Sequence, residues 1–528
     1  MRIGSRQTVR SIEDKAMEVL KIPSLLMMDQ AGKRVACEIE KRTGPFKGVI
    51  VVLAGTGNNG GDGMAAARHL HANGYDVSVF LAGEEKSLSD NGKLYFHILK
   101  KSGVPVISIV RGAAFSILED NLRKTDIVVD ALAGIGLRGS LQPLLKKIIF
   151  CANETDALKV AVDIPTGVNA NTGEADNAFE SDVTVTFILP KAGLYLYPGA
   201  SFAGNIVLDT LSLPKGLMPK EEVDMFLIDS RVAEELIMPR RENSHKGQHG
   251  KTLIIAGSKT MPGAALIAAL GALRAGSGLV KLAMPKTAWM CVSYFPEMIP
   301  VFLEDEGSGL LNDSGAEEIF KEISESDTVA IGPGLTQHSE VKDLIKKLII
   351  SIDRPMVIDA DGLNALAGET SKLNEIDYPK VLTPHPGEMA RLCEVSTAEI
   401  QSDRTSYALK AAEKWQAVVV LKGAGTVVAS PGGRVFINTT GNPGMAAGGF
   451  GDVLTGMIAG LIGQGYKEEE AAVLSVYVHG KTADELARTK GTMGLTPSET
   501  AEMIPHVLHN LARDFLKQEK GLDNGKVY

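Results

Sequence analysis

Closely spaced cysteines are missing from this chain of 528 residues. Its four cysteines, Cys37, Cys151, Cys291 and Cys393, lie far apart, with no CxxC and no histidine at ligand spacing. That argues against a disulfide framework and a structural zinc site, and for buried thiols in a reduced, cytosolic setting. No apolar run approaches membrane-spanning length, and the opening stretch MRIGSRQTVRSIEDKAME lacks the apolar core of a signal peptide. A cytoplasmic location with no membrane role is the expectation. A strong excess of one charge is missing too. The 64 acidic and 55 basic residues leave a net charge of −9, modest for this size and no support for nucleic-acid binding.

Two common nucleotide fingerprints are also absent. The stretch GTGNNGGDG, Gly55 to Gly63, contains neither GxGxxG in register nor a Walker lysine.

What is present describes an α/β protein. The length exceeds one ordinary core, so two domains are expected, spanning residues 1–220 and 225–515. Their linker is read at LPKGLMPKEE, Leu213 to Glu222, where Pro214, Gly216 and Pro219 interrupt regular structure. Strand-like runs in the first half (49–53, 76–80, 126–132, 159–163, 183–188, 206–209) alternate with helical or loop segments. That pattern predicts a Rossmann-like, doubly wound, largely parallel sheet. The second half repeats the style at 252–256, 279–283, 328–331, 356–359, 381–383 and 417–421, and PGG between 427–430 and 434–438 reads as a hairpin. The halves share no register, so no internal repeat is expected.

Chemistry gathers at strand ends. GTGNNGGDG follows a strand and precedes the helical stretch Met64 to Leu70, a setting for an anion or nucleotide. Asp130 stands at the end of another strand, before Gly134, Gly136 and Gly139; Asp163 and Thr166 occupy a third. Ligands of open α/β sheets sit beyond the carboxyl ends of the strands, so these three loops could line one crevice. Asn59, Asp130 and Thr166 would offer hard oxygen ligands to an alkali or alkaline-earth cation. Each end taken singly could be a plain polar cap; three together weaken that reading.

The NNGGDG, DALAGIGLRG and DIPTGVNANTG stretches resemble the marks of the NAD(P)H-hydrate epimerase family. The resemblance implies a phosphate and substrate loop at Asn58, Asn59, Gly60, Gly61 and Asp62. A second substrate loop is implied at Gly134, Ile135, Gly136, Leu137, Arg138, Gly139 and Ser140. It further implies a potassium ion on Asn59, Asp130 and Thr166, with Asp163 as the substrate-contacting acid/base. Epimerising a hemiaminal carbon needs proton delivery to and from its hydroxyl, which a buried carboxylate can provide.

The second half centres on GNPGMAAGGFGDVLTG, Gly441 to Gly456, where five glycines in eleven residues precede Asp452 and an apolar helix. A helix N-terminus behind such a loop can hold a phosphate on free backbone N–H groups, with Asp452 in the first turn to take a proton. GPGL (Gly332 to Leu335), DADGLN (Asp359 to Asn364), TPHPGE (Thr383 to Glu388) and KGAGT (Lys422 to Thr426) also sit at predicted strand ends. The small-residue stretch Met261 to Leu282 reads mainly as close helix packing. In this order the motifs resemble the NAD(P)H-hydrate dehydratase branch of the ribokinase-like fold. The resemblance places Ala264, Gly334, His385 and Asp452 at the hydrate. It places Lys422, Gly423, Ala424, Gly425, Thr426 and Gly451 at an adenine nucleotide, ADP or ATP, with Mg2+. Thr336 stands where relatives have glycine after GPGL. The implied substrates are the hydrates of NADH and NADPH, with assembly as a homo-oligomer. A small-molecule kinase fused to a non-catalytic ligand-binding domain is the alternative reading.

Overall fold

The computed structural model describes residues 1–110, 112–136, 139–217, 224–293 and 295–521. Leu137 and Arg138 of the expected substrate loop, and 218–222 of the expected linker, lie outside them. The chain divides into two compact units, Arg2–Glu222 and Val223–Tyr528 with Met1.

The first unit is built on strands β1 (Val49–Ala54), β2 (Asp76–Leu81), β3 (Val106–Ser108), β4 (Ile127–Ala131), β5 (Leu158–Val162), β6 (Val183–Phe187) and β7 (Asn205–Asp209). They pair in the order β3-β2-β1-β4-β5-β6-β7, every pair parallel. The apolar run VIVVLA of β1 is buried almost throughout, as a parallel strand covered on both faces requires. The chain leaves β1 toward one edge, then returns to its other side at β4. The crevice beyond these two strands is therefore the switch point where open α/β sheets bind ligands. Helices α1 (Arg6–Glu18), α2 (Ser24–Thr43) and α3 (Asn58–Ala72) belong to this unit. Pro23 precedes α2 and divides it from α1, as its missing N–H and fixed φ allow only at a helix start.

One boundary differs from the expected one. NNGGDG is not a loop before a helix, because α3 already begins at Asn58. Glycine is unfavourable in helices when exposed, but here its missing side chain permits contact. A methyl group on Gly63 would lie 2.4 Å from the Ala131 side chain. The short edge strand β3 carries no clear alternation and was not expected.

The second unit contains β8 (Met225–Ile228), β9 (Lys251–Ile255), β10 (Leu279–Pro285), β11 (Ile299–Leu303), β12 (Thr328–Ile331), β13 (Met356–Ile358), β14 (Lys380–Leu382), β15 (Val418–Leu421), β16 (Val427–Ala429) and β17 (Val435–Asn438). Their order is β8-β17-β16-β15-β14-β13-β12-β9-β10-β11. Pairing is parallel except around the β16–β17 hairpin, where β16 is antiparallel to both neighbours. Here the order reverses between β9 and β12, again opening a crevice at the strand carboxyl ends. Helices α4 (Pro262–Arg274) and α5 (Phe450–Gly463) pack backbone to backbone across this sheet. A methyl on Gly456 would come within 1.8 Å of the Ala268 carbonyl oxygen. The small residues of α4 therefore serve packing, as their composition suggested. Among the described residues, no helix is long and apolar enough to cross a membrane.

Candidate active sites

In the first unit, the ends of β4 and β5 are tied together by two fully buried side chains. Asp130 Oδ2 accepts from the Thr166 backbone N–H at 2.7 Å, and Oδ1 accepts from the Thr166 hydroxyl at 2.7 Å and Leu132 N–H at 3.1 Å. The Thr166 hydroxyl also meets the backbone of Ala133. Gly134 follows, and a methyl built on it would stand 3.0 Å from Asn59 Oδ1. The three expected cation ligands thus converge on one loop. Asn59 Nδ2 is buried without a hydrogen-bond partner. Burial pushes the Asp130 carboxyl up to about 6, while the bonds from Thr166 and Leu132 oppose the rise. The Asp130 carboxylate, the Thr166 hydroxyl and Asn59 Oδ1 beside Gly134 bring together hard oxygens, a set that suits a cation.

Asp163 follows β5 directly, in the left-handed region at φ 69°. Its Oδ1 accepts from the Lys191 ammonium, from Phe187 N–H at 3.3 Å and from the Thr186 hydroxyl at 3.4 Å. Lys191 is fully buried and gives its remaining protons to Thr186 Oγ1 at 3.0 Å and Phe187 O at 2.9 Å. All three ammonium protons are therefore used, as a buried cation requires. Two further carboxyls feel this pair. Burial first, then Asp163, raises Glu13 of α1 to about 7, and the same causes raise Asp62 well above the usual carboxylate range.

A cavity of about 790 Å³ opens in this unit, lined by Arg6, Arg10, Gly134, Ser140, Gly167 and Asn169 among others. Ile135 and Gly139 of the expected second substrate loop also face it. Lys191 and Glu13 escaped sequence reasoning. The signal for Lys191 was a lone charge in the apolar stretch TFILPKAGLY; nothing separated Glu13 from a solvated helix face.

In the second unit the corresponding tie joins β13, β15 and α5. Lys422 Nζ donates to Asp359 Oδ1 at 2.6 Å, and Thr455 Oγ1 donates to Asp359 Oδ2 at 2.6 Å. A methyl on Gly451 would lie 3.2 Å from that ammonium, so the lysine reaches the first turn of α5. Asp452, in the same turn, is pushed up to about 7 by burial and by Asp359, against the pull of Lys422. Gly449 starts the turn at φ 98°, a conformation that exposes the next N–H groups and that glycine adopts without penalty.

The other expected residues surround this tie. A methyl on Gly334 would meet the Ala264 side chain at 3.1 Å, and one on Gly449 would meet Ile267 of the same helix at 3.3 Å. Thr336 adopts φ 79°, donates its N–H to Asp361 Oδ2 at 2.8 Å and leaves its buried hydroxyl without a partner. His385 caps a helix, Pro386–Cys393, with Nδ1 accepting from Gly387 N–H at 3.0 Å and Glu388 N–H at 3.3 Å. Burial, Lys422 and Arg391 together hold its pKa down, so Nδ1 is an acceptor and the proton of the neutral ring lies on Nε2. The KGAGT turn closes on itself through Thr426 Oγ1, which donates to Gly423 O at 2.8 Å. It is held from behind by buried Arg404, whose Nη2 donates to Leu421 O and Lys422 O at 3.0 and 3.2 Å. Ala424 and Gly425 form the turn between them. Arg404, Thr455 and the pairing of Asp359 were not apparent from the sequence.

This arrangement can hold an anion at the α5 N-terminus and take a proton beside it. The first site can hold a cation and move a proton beside a buried ion pair.

The family described as NAD(P)H-hydrate dehydratase matches residues 252–506, and the one described as YjeF-related protein N-terminus matches 24–193. A bifunctional NAD(P)H-hydrate repair enzyme of Moorella thermoacetica is 39% identical over 93% of this chain and 94% of its own. The Escherichia coli enzyme of the same description is 34% identical over 95% of this chain and 93% of its own. A solved Bacillus subtilis ADP/ATP-dependent NAD(P)H-hydrate dehydratase, co-crystallised with ATP and Mg2+, is 33% identical. It covers 54% of this chain and 98% of its own, with a TM-score of 0.47.

Proposed function

The chain belongs to the bifunctional NAD(P)H-hydrate repair enzymes, and on that premise we propose how its two sites divide the work. The first unit interconverts the R and S hydrates of NADH and NADPH. The second dehydrates the S form, converting ADP to AMP and phosphate.

In the first unit, Asp163 exchanges the proton of the hydrate hydroxyl, and Lys191 holds its carboxylate by one oxygen. Asn58 to Asp62 and Gly134 to Ser140 enclose the substrate. Asn59, Asp130 and Thr166 would hold a potassium ion, which supplies positive charge where an anionic substrate meets a buried carboxylate. The oxygens of Asp130, Thr166 and Asn59 gathered beside Ala133 and Gly134 support that fit.

In the second unit, Asp452 takes the proton of the hydrate hydroxyl as its oxygen attacks the terminal phosphorus of the nucleotide, and AMP leaves. The N–H groups at the start of α5 and the Lys422 ammonium surround the transferring phosphoryl group. Breaking the carbon–oxygen bond then expels phosphate, and loss of a proton from the adjacent ring carbon restores the dihydronicotinamide. Ala264, Gly334 and His385 enclose the hydrate; Lys422 to Thr426 and Gly451 hold the nucleotide, whose phosphates would carry Mg2+ as a charge-neutralising partner.

The observation that carries this reading is Asp452 itself: a carboxyl with proton affinity near neutrality, in the first turn of a helix whose preceding loop is built for phosphate. The test supplies purified protein with S hydrate and ADP or ATP and follows recovery of reduced nicotinamide absorbance. Recovery that is lost in Asp452→Ala supports the assignment. Accumulation of a stable phosphorylated product without recovery would favour the small-molecule kinase.

A further inference from the structure

The helix α1 lies ahead of the matched segment 24–193, and neither expected substrate loop includes it. Yet Arg6, Gln7 and Arg10 line the same cavity as Gly134, Ile135, Gly139 and Ser140. Residues four apart share a helix face, so the two guanidinium groups are presented side by side. Their backbone is anchored: Ser5 Oγ caps the helix by accepting from Thr8 N–H at 3.0 Å, and Arg6 N–H donates to Asn171 Oδ1 at 2.8 Å. Arg10 makes no ion pair with any described residue. Of the acids across the cavity, Asp176 is engaged by Lys146 at 2.9 Å, and Glu174 is the other.

We infer that Arg6 and Arg10 form the phosphate-binding wall of the first site and are substrate-binding residues for the nicotinamide hydrate. The inference rests on reading that unit as the epimerase. Guanidinium forks match phosphate oxygens in pairs, and a cavity that must accept a dinucleotide needs positive charge away from the reacting ring. The same helix supplies direction. Glu13, one turn beyond Arg10, is electrostatically coupled to Asp163 and Lys191. About 10 Å of helix thus separates the first arginine from the residue that feels the charges of the proton-transfer pair, enough to lay out ring, ribose and phosphate along one element. Two phosphate groups could be the partner: the pyrophosphate common to both hydrates, or the 2′-phosphate that only the NADPH hydrate carries.

The test measures R-to-S interconversion of each hydrate, with the epimers separated chromatographically, for full-length wild type, Arg10→Ala and the Arg6→Ala/Arg10→Ala double variant. Circular dichroism and denaturant unfolding of the same preparations report that the first unit of each variant is folded. Loss of a charge-assisted contact is expected to raise KM about tenfold to a hundredfold with kcat unchanged, and Arg10→Lys to recover part of it. A rise for both hydrates assigns the wall to pyrophosphate; a rise for the NADPH hydrate alone assigns it to the 2′-phosphate. Unchanged KM for both, or a fall in kcat at constant KM, overturns the inference. If wild type itself fails to interconvert the epimers, the epimerase reading falls instead.

Discussion

Both sites contain a lysine paired with an aspartate at a strand end, the lysine fully buried in the first and partly exposed in the second, yet the two pairs are wired differently. In the first unit Lys191 binds Asp163, the very carboxylate proposed to move the proton. In the second, Lys422 binds Asp359, and Asp452 remains outside the pair with its proton affinity raised to about 7. The first arrangement orients a carboxylate, while burial and then the charge of Asp163 raise the proton affinity of its neighbours Glu13 and Asp62. The second uses one acid to neutralise the lysine, and burial together with that acid's charge lifts the other. A lysine–aspartate pair in a site therefore does not by itself identify the base; what matters is which carboxyl is left over.

The largest expected effect comes from breaking the first pair. Lys191→Met leaves Asp163 buried against Thr186 and Phe187 with no cation. It should cost roughly 3–5 kcal/mol in denaturant unfolding of the first unit and abolish epimerisation. Replacing both partners by apolar residues should restore most of the stability and none of the activity. Next comes Asp452→Asn, expected to slow dehydration by about 10²–10⁴ while epimerisation persists. The same change should stabilise the protein at pH 8. Asp452 has a folded pKa of about 7 against an ordinary aspartate value of 3.8, so the folded state binds more protons and loses stability as pH rises between those values. Removing the charge should recover on the order of 1–3 kcal/mol, read from unfolding at pH 8 against pH 4.

A smaller effect lies in the pH profile. Dehydration kcat/KM should rise through about pH 7 as Asp452 loses its proton. Since Lys422 lowers that affinity, residual activity in Lys422→Met should show the rising limb displaced to higher pH. The smallest concerns Thr336. Glycine at φ 79° would relieve backbone strain but widen the unfolded ensemble, so Thr336→Gly should change stability by no more than about 1 kcal/mol.

Much of this was legible in the sequence where the physics is local. The buried strand Thr328–Ile331 matches its apolar run, and the PGG hairpin matches its turn residues. The glycine-rich approach to Asp452 reads as a helix start, and α5 begins there at Phe450. Where glycines serve contact instead of turning, the same logic failed, and α3 begins at Asn58. Long-range pairs stayed hidden. Asp359 and Lys422 are 63 residues apart, and nothing in either motif says that they meet. Nothing in the sequence of α1 says that Arg10 lines a cavity or that Glu13 feels the Asp163–Lys191 pair.

One measurement addresses the division of labour most directly. Pure R hydrate is given with ADP to wild type, Asp163→Asn and Asp452→Asn, and both the epimer ratio and the absorbance of the reduced ring are followed. Wild type should recover fully, and Asp452→Asn should equilibrate the epimers without recovery. Asp163→Asn should recover no more than spontaneous epimerisation allows, while still dehydrating S hydrate normally. If either single change stopped both reactions with the fold intact, the two sites would not be separate and the account would be wrong.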